Sequence, residues 1–178
     1  MRLLSLRVLA LTLSLGAAAT AGAISRVGNS SIVDEATRFR SDYPAGFAIF
    51  RALADGSALE LQTPPRFSWP TGEPRSYKLR LQRFERLFPD LVNLSAENIR
   101  EVFLAQPEKL WWELRTADDC LLGFASEEGS LYQVVTTWGG GRGLVLLGEK
   151  DPDVQRGMRE ILRSMRLGEG ACAWALPH

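Results

Sequence analysis

The sharpest contrast between apolar and polar positions lies at the start of the chain. Arg2 and Arg7 precede a run from Val8 to Ala19 in which every residue is apolar or small except Thr12 and Ser14. A run of about 12 residues has the length of a secretory leader's apolar core, whereas a membrane-spanning helix needs about 20. Ala21-Gly22-Ala23 follows and fits the small-x-small rule of signal peptidase. The pattern predicts a signal peptide over residues 1–23, cut most readily after Ala23, with Ala19 and Ala21 as alternative cut points. Residues 24–178 are left as one globular domain. No later stretch has the length and apolarity of a membrane span. The mature chain is expected in a periplasm or outside the cell.

Within the domain, residues 24–30 are polar and predict a loose segment. Ile32, Ala36, Phe39 and Tyr43 are spaced by four, three and four, which predicts a short helix over 31–42 ended by Pro44. Phe47 to Phe50 predicts a strand, Ala54-Asp55-Gly56-Ser57 a turn, and Ala58 to Gln62 a returning strand. Pro64, Pro65, Pro70, Gly72 and Pro74 mark 63–75 as a loop inside the domain. Residues 76–88 fit two templates. Tyr77, Leu81, Phe84, Phe88 and Leu91 share a helical face, while Tyr77, Leu79 and Leu81 alternate as a strand would; the longer series favours a helix over 80–88.

Ser95 as N-cap, Glu97 in the first turn, apolar Ile99, Val102 and Phe103, and a stop before Pro107 predict a second helix. Apolar runs then recur at Leu110–Leu114, Cys120–Phe124, Leu131–Trp138 and Leu144–Leu147. Their connections are too short for helical crossovers, so they predict antiparallel strands. Asp151 caps a last helix with Pro152 at its first position. Val154, Met158, Ile161, Leu162 and Met165 lie on one face, with Arg156, Arg159 and Arg163 elsewhere. Arg163 and Arg166 complement the dipole's C-terminal end, and Gly168 closes the helix. The predicted class is α+β: a mostly antiparallel sheet flanked by helices in an α/β/α sandwich, with the C-terminal amphipathic helix packed on the sheet.

Charge changes this picture little. The chain has 21 basic and 21 acidic residues, so no global field draws it to nucleic acid. Arginine outnumbers lysine 18 to 3, a bias attributed to coding composition. The two cysteines, Cys120 and Cys172, predict a disulfide in an oxidising compartment, which would stabilise by about 4 kcal/mol in the chain-entropy model. Two free thiols or one reactive thiol are the alternatives; Cys-x-x-Cys is absent, and no histidine stands by to activate a thiolate.

Candidate chemistry is sparse. The single histidine is His178, the last residue, where a general base is not held in place. This argues against a histidine-based triad and against a histidine metal site. None of Lys78, Lys109 and Lys150 follows a serine at Ser-x-x-Lys spacing. Trp138-Gly139-Gly140-Gly141-Arg142-Gly143 lacks the Gly-Lys-Ser/Thr ending of a phosphate loop and predicts a hairpin connection. No cofactor motif is present. Asp118-Asp119, Glu127-Glu128 and Glu97/Glu101 are the carboxylate pairs that a small envelope hydrolase would need. Asp151 and Asp153 act as caps, since no 12-residue calcium loop follows.

Two features suit a binding surface. Arg75, Lys78, Arg80, Arg83 and Arg86 form the densest basic stretch, a candidate dock for anionic lipid or an acidic partner. Trp111 and Trp112 are adjacent, so on a strand they face opposite sides and one is a candidate anchor for a sugar or a partner.

Tyr43-Pro44-Ala45-Gly46-Phe47 resembles the Pro-x-Gly-aromatic lead-in to the sheet of the Mog1/PsbP-like family. Ile161-Leu162-Arg163-Ser164-Met165-Arg166-Leu167 resembles that family's closing helix end, with Met165 in place of the usual aromatic. Residues 131–147 would be its penultimate strand pair. The resemblance implies an α/β/α sandwich and a non-enzymatic accessory role, and it carries over no catalytic residues. The sequence thus supports an exported, non-catalytic binding or assembly-accessory domain for a protein or envelope ligand. A small acidic-residue hydrolase and a peripheral membrane module are the rivals.

Overall fold

The computed structural model describes residues 22–67, 72–106, 111–117, 121–137 and 142–167. Its strands and helices follow in chain order: β1 (Ser25–Val27), β2 (Ser31–Asp34), β3 (Phe39–Asp42), β4 (Ala48–Ala52), β5 (Ala58–Gln62), β6 (Arg66–Phe67), β7 (Pro74–Arg75) and β8 (Lys78–Arg83). Then come α1 (Phe84–Leu87), a 3-10 turn (Pro89–Leu91), α2 (Ala96–Leu104), β9 (Trp111–Ala117), β10 (Leu121–Glu128), β11 (Leu131–Thr137), β12 (Gly143–Glu149), α3 (Pro152–Ser164) and β13 (Arg166–Leu167). A seven-stranded sheet has the order β4-β5-β8-β12-β11-β10-β9, and a four-stranded sheet has the order β1-β2-β3-β13. Strands β6 and β7 make a small separate hairpin. Every paired ladder in both sheets is antiparallel. The class is α+β, as the hydrophobic pattern predicts.

The larger sheet is covered on both faces, which explains its unbroken apolar runs. Val134 and Val135 are neighbours in β11 yet belong to different cores, as do Leu144 and Val145 in β12. One core joins Leu59, Leu61, Leu79, Leu81 and Leu146 to α3 and to Ile32 and Phe39 of the small sheet. The other joins Phe124, Val135 and Val145 to Phe84, Ile99 and Phe103. The Phe103 and Phe124 rings stack at 4.9 Å. Phe39, Phe84, Phe103 and Phe124 are each fully buried, and each burial contributes roughly 2–3 kcal/mol.

Helix α3 forms as its sequence predicts. Asp151 accepts hydrogen bonds from the backbone N–H groups of Asp153 and Val154 at 2.9 and 3.3 Å. Pro152 occupies the first turn, and Val154, Met158, Ile161 and Leu162 are buried. The helix lies so close to the sheet that a Cβ on Gly148 would meet Val154 Cγ1 at 2.7 Å, and one on Gly157 would meet the Phe47 ring at 2.7 Å. The C-terminus of the helix departs from expectation. The chain leaves α3 at Met165 in extended conformation and continues as β13, where Arg166 pairs with Arg40 of β3. Gly168 lies outside the described residues.

Three further sequence expectations are corrected. Residues 24–30 are not loose: Ile24 is buried and β1 pairs with β2. Residues 31–42 are a hairpin, not a helix. Asp34 turns the chain by accepting from the Ala36 N–H at 3.3 Å and the Thr37 hydroxyl at 2.7 Å, and Arg38 takes a positive φ of 59°. Residues 78–83 are a central strand between β5 and β12, and helix survives only over the four residues of α1. The helix starting at Ser95 does form, with the Ser95 hydroxyl accepting from the Asn98 N–H at 3.2 Å.

The two sheets are joined by a buried ion pair. Arg83 of β8 donates to both carboxylate oxygens of Asp34 in β2, at 2.9 and 2.7 Å. Asp34 is fully buried and Arg83 nearly so. The hydrogen bond to Asp34 raises the Arg83 pKa above its ordinary value against the opposing effect of burial, so the guanidinium stays charged. Removing one partner strands the other in the interior. Asp34→Asn and Arg83→Met are each expected to cost about 3–5 kcal/mol. The double variant should cost clearly less than the two summed, because neither leaves a lone buried charge. Urea denaturation of the four proteins checks both statements, and losses under about 1 kcal/mol would mean that water reaches the pair.

Candidate binding surface

The basic stretch predicted to form one docking surface is dispersed by the strand. Lys78, Arg80 and Gln82 share one face of β8, and Leu79, Leu81 and Arg83 share the other. Arg83 is therefore turned into the core and is removed from the candidate surface. The remaining cations are met locally. Arg75 sits 3.3 Å from Glu149 and 4.9 Å from the Tyr77 ring. Arg80 and Arg51 flank Glu60 at 3.9 and 3.7 Å. Arg86 is bonded to Asp55, and Lys78 stands 4.6 Å from the Phe50 ring centroid. With Arg83 in the core and Arg75, Arg80 and Arg86 each beside a carboxylate, the collective field that anionic lipid requires is weakened.

The other sequence candidates are not gathered into one place. Trp111 and Trp112 lie on β9, an edge of the large sheet, with their backbones paired to Ser126 and Ala125. Their side chains lie outside the described residues, as do Asp118, Asp119, Cys120, Cys172, residues 138–141 and His178. The disulfide expectation thus falls outside the described residues. Glu127 is bonded to Lys150, and Glu97 and Glu101 are exposed on α2. Among the described residues, no three or more metal-ligating side chains converge. Among them also, no helix is long and apolar enough to cross a membrane.

A different surface is assembled at the other edge of the large sheet. It starts at the Tyr43-Pro44-Ala45-Gly46-Phe47 segment. Glu160 of α3 accepts from the Ala45 N–H at 3.0 Å, and Ser164 accepts from the Asp42 N–H at 2.9 Å. Phe47 is buried beneath α3 in the space left by Gly157. Gly46 allows the turn with φ of 81°. A groove of about 530 Å³ lies along this segment, lined by Arg26, Asn29, Ser30, Asp42 and Tyr43–Phe47. A second groove of about 540 Å³ is lined by Glu160, Arg163, Ser164 and Arg166 with Asp42, Tyr43 and Ala45. Asp42, Tyr43 and Ala45 line both grooves. The Tyr43 hydroxyl donates to the Phe47 carbonyl at 3.2 Å, and the Arg26 guanidinium lies 4.2 Å from the Tyr43 ring.

The chain then emerges as β4, which among the described residues pairs only with β5. All five residues of β4 are exposed. Ile49 and Phe50 retain 44% and 48% of their surface, side by side on an unpaired edge. Val27, Phe67, Leu104 and Leu131 are also exposed, but not as neighbours in one strand. The ladder with β5 shifts register between Ile49 and Arg51, so Phe50 sits at a bulge. Bulges and charges such as Arg51 protect an edge against indiscriminate pairing. They leave a short open edge on which Ile49 and Phe50 are the exposed large apolar side chains.

Sequence reasoning placed a strand at Phe47–Phe50 but did not mark it as a site. The signal available was four consecutive residues with no polar alternation, followed by Arg51. The sequence matches no protein-family model, and no curated protein and no solved structure matches the chain.

Tyr43 gives this surface a titratable marker. Burial pushes its pKa above the 10.0 of a free tyrosine, with Arg26 opposing. The neutral phenol is therefore favoured by folding. The stability it contributes is present below pH 10 and is lost as pH rises through the folded pKa. Ultraviolet titration of wild type and Tyr43→Phe should show that the phenol removed is one ionising later than a free tyrosine. A missing component that titrates at or below pH 10 would contradict the assignment.

Proposed function

We propose that this chain is an exported, non-catalytic binding or assembly-accessory domain that takes an extended segment of a protein partner onto β4. The observation that carries the reading is the open edge itself: a strand paired on one side with β5, at the end of the sheet among the described residues, with all five residues exposed and Ile49 and Phe50 adjacent upon it. Backbone N–H and C=O groups along such an edge supply affinity, and the alternate side chains supply selectivity. The two grooves that share Asp42, Tyr43 and Ala45 lie along the segment leading into the strand, and Arg26, Arg163 and Arg166 give them polar contacts. Export is supported by the short apolar leader and the small residues after it. The resemblance to the Mog1/PsbP-like family supports the accessory role, since its Tyr43–Phe47 motif is the segment that leads into β4.

The rival readings have less support. A hydrolase needs two carboxylates facing one cleft, and Glu97, Glu101 and Glu127 are placed on exposed elements or in an ion pair. A lipid dock through residues 75–86 loses Arg83 to the core and the field of Arg75, Arg80 and Arg86 to their carboxylates.

The test is affinity capture from envelope extract on immobilised mature chain, comparing wild type, the Ile49→Glu/Phe50→Glu double variant and a Glu97→Ala control. Partner recovery should fall at least about tenfold for the double variant, the loss of one central apolar contact cluster, and stay unchanged for the control. Equal recovery by the double variant, or no specific recovery by wild type, would reject β4 as the binding edge.

A further inference from the structure

We infer that the outer face of the small sheet carries a site for a phosphomonoester group, held by the guanidiniums of Arg38, Arg40, Arg163 and Arg166. Neither Ile49 nor Phe50 lines its grooves, so it stands or falls separately from the edge proposed at β4.

Strand β3 alternates: Phe39 and Ser41 are buried, Arg40 and Asp42 exposed. Arg40 therefore stands on the side away from the core. The ladder between β3 and β13 places Arg166 directly opposite it. Each member of this pair lines a groove of its own. Arg40 and Arg38 line one of about 560 Å³, together with Val33 and Glu35. Arg166 and Arg163 line the groove of about 540 Å³ beside Tyr43. All four arginines are exposed.

The arrangement costs stability in three ways. Like charges directly opposite in a ladder repel across Cα atoms roughly 4.5–5.5 Å apart. Arg38 holds φ of 59°, a left-handed conformation that glycine or asparagine adopts more readily. Among the described residues, none of the four guanidiniums has a carboxylate oxygen within 4.0 Å. Arg66, Arg75, Arg83, Arg86 and Arg156 each have one.

The carboxylates lining the two grooves do not close this gap. Asp34 is bonded to Arg83, and Glu160 to Arg156 and the Ala45 N–H. Glu35 and Asp42 are left, two carboxylates beside four guanidiniums. Arg163 has a structural use in the last turn of α3, where a cation faces the negative end of the dipole. The bond that Arg40 makes to the Ser31 hydroxyl is long at 3.4 Å. Local conflicts of this kind persist where function requires them.

A bound anion turns the repulsion between Arg40 and Arg166 into attraction through a shared partner. A carboxylate's two oxygens are used up by one guanidinium fork. A phosphomonoester offers three strong acceptor oxygens and close to two charges, which suits adjacent forks. Such a group is presented by a soluble phosphate ester or by a lipid headgroup.

The experiment titrates the mature chain calorimetrically with inorganic phosphate and sediments it with phosphatidylcholine vesicles with and without phosphatidic acid. Wild type is compared with Arg40→Ser/Arg166→Ser and with Arg75→Ala/Arg86→Ala, which removes the same charge elsewhere. Wild type should bind at least one probe, the first variant should lose at least about tenfold in affinity, and the charge control should keep it. Binding of free phosphate identifies a soluble source, and binding of phosphatidic acid vesicles alone a lipid one. In phosphate-free buffer Arg40→Ser/Arg166→Ser should melt no lower than wild type and Arg38→Gly should melt higher, because each relieves a conflict. No binding of either probe, binding retained by Arg40→Ser/Arg166→Ser, an equal loss in the charge control, or a lower melting point for Arg40→Ser/Arg166→Ser without phosphate would overturn the site. None of these results bears on capture at β4.

Discussion

A carboxylate and a guanidinium withdrawn from water together form a costly pair, and this fold is arranged around one. Desolvation of two charges costs several kcal/mol each, so attraction alone seldom makes such a pair a net source of stability. Asp34 compensates by holding four donors: two from Arg83, the Ala36 N–H and the Thr37 hydroxyl. Those bonds have a second effect. They fold the β2–β3 turn, and they fix the small sheet at one register against β8 of the large sheet. Apolar contacts between the two layers are non-directional and would tolerate a slide; the bidentate pair does not. The device therefore contributes specificity of docking more than net energy.

Everything at the candidate surface follows from that docking. With the small sheet fixed, Asp42 and Tyr43 leave β3 at a set position beside α3. Glu160 and Ser164 hold the next residues, and Phe47 enters the gap at Gly157. The chain is then committed to emerge along the outside of β5. An edge strand whose start is pinned by a buried aromatic presents its backbone groups in a stable orientation. That is what a binding edge needs and what a frayed edge lacks.

The limits of sequence reading trace to the same geometry. Helix α3 was legible because its signals are local: Asp151, Pro152 and a 3.6-residue apolar period all lie within the element. The strands β5, β11 and β12 were legible because apolar runs bounded by turn residues have few other uses. The β2–β3 hairpin was misread because two short strands joined by a four-residue turn put Ile32, Ala36, Phe39 and Tyr43 at helical spacing by coincidence. The true signal was Asp34, whose side chain competes with helix by bonding backbone two residues on. Residues 78–83 satisfied both periods, and pairing with β5 and β12, distant in sequence, decided between them. Arg83 looked like surface charge because its partner lies 49 residues earlier. Edge status of β4 was invisible for a related reason: it depends on the order of strands, which no window of sequence contains.

The distribution of charge says what kind of recognition this surface supports. Arg66 pairs with Asp151 and Asp153, Arg156 with Asp153 and Glu160, Lys150 with Glu127, and Glu60 with Arg51 and Arg80. Those of these pairs that are exposed, such as Arg156 with Glu160 and Lys150 with Glu127, each contribute about 0–1 kcal/mol and weaken in salt, so they add little to the fold. Their larger effect is to cancel fields over the surface of a chain whose formal net charge is zero. Long-range steering of a charged partner needs a one-signed patch wider than a Debye length, about 8 Å in physiological salt. On the proposed reading, recognition at β4 falls to short-range terms, the backbone ladder and the apolar contacts of Ile49 and Phe50. Such an interface forms at the unsteered rate of about 10⁵–10⁶ M⁻¹s⁻¹, and its affinity resides in slow dissociation and changes little with ionic strength. The partner proposed for β4 would then be chosen by the shape and register of its strand, not by its charge.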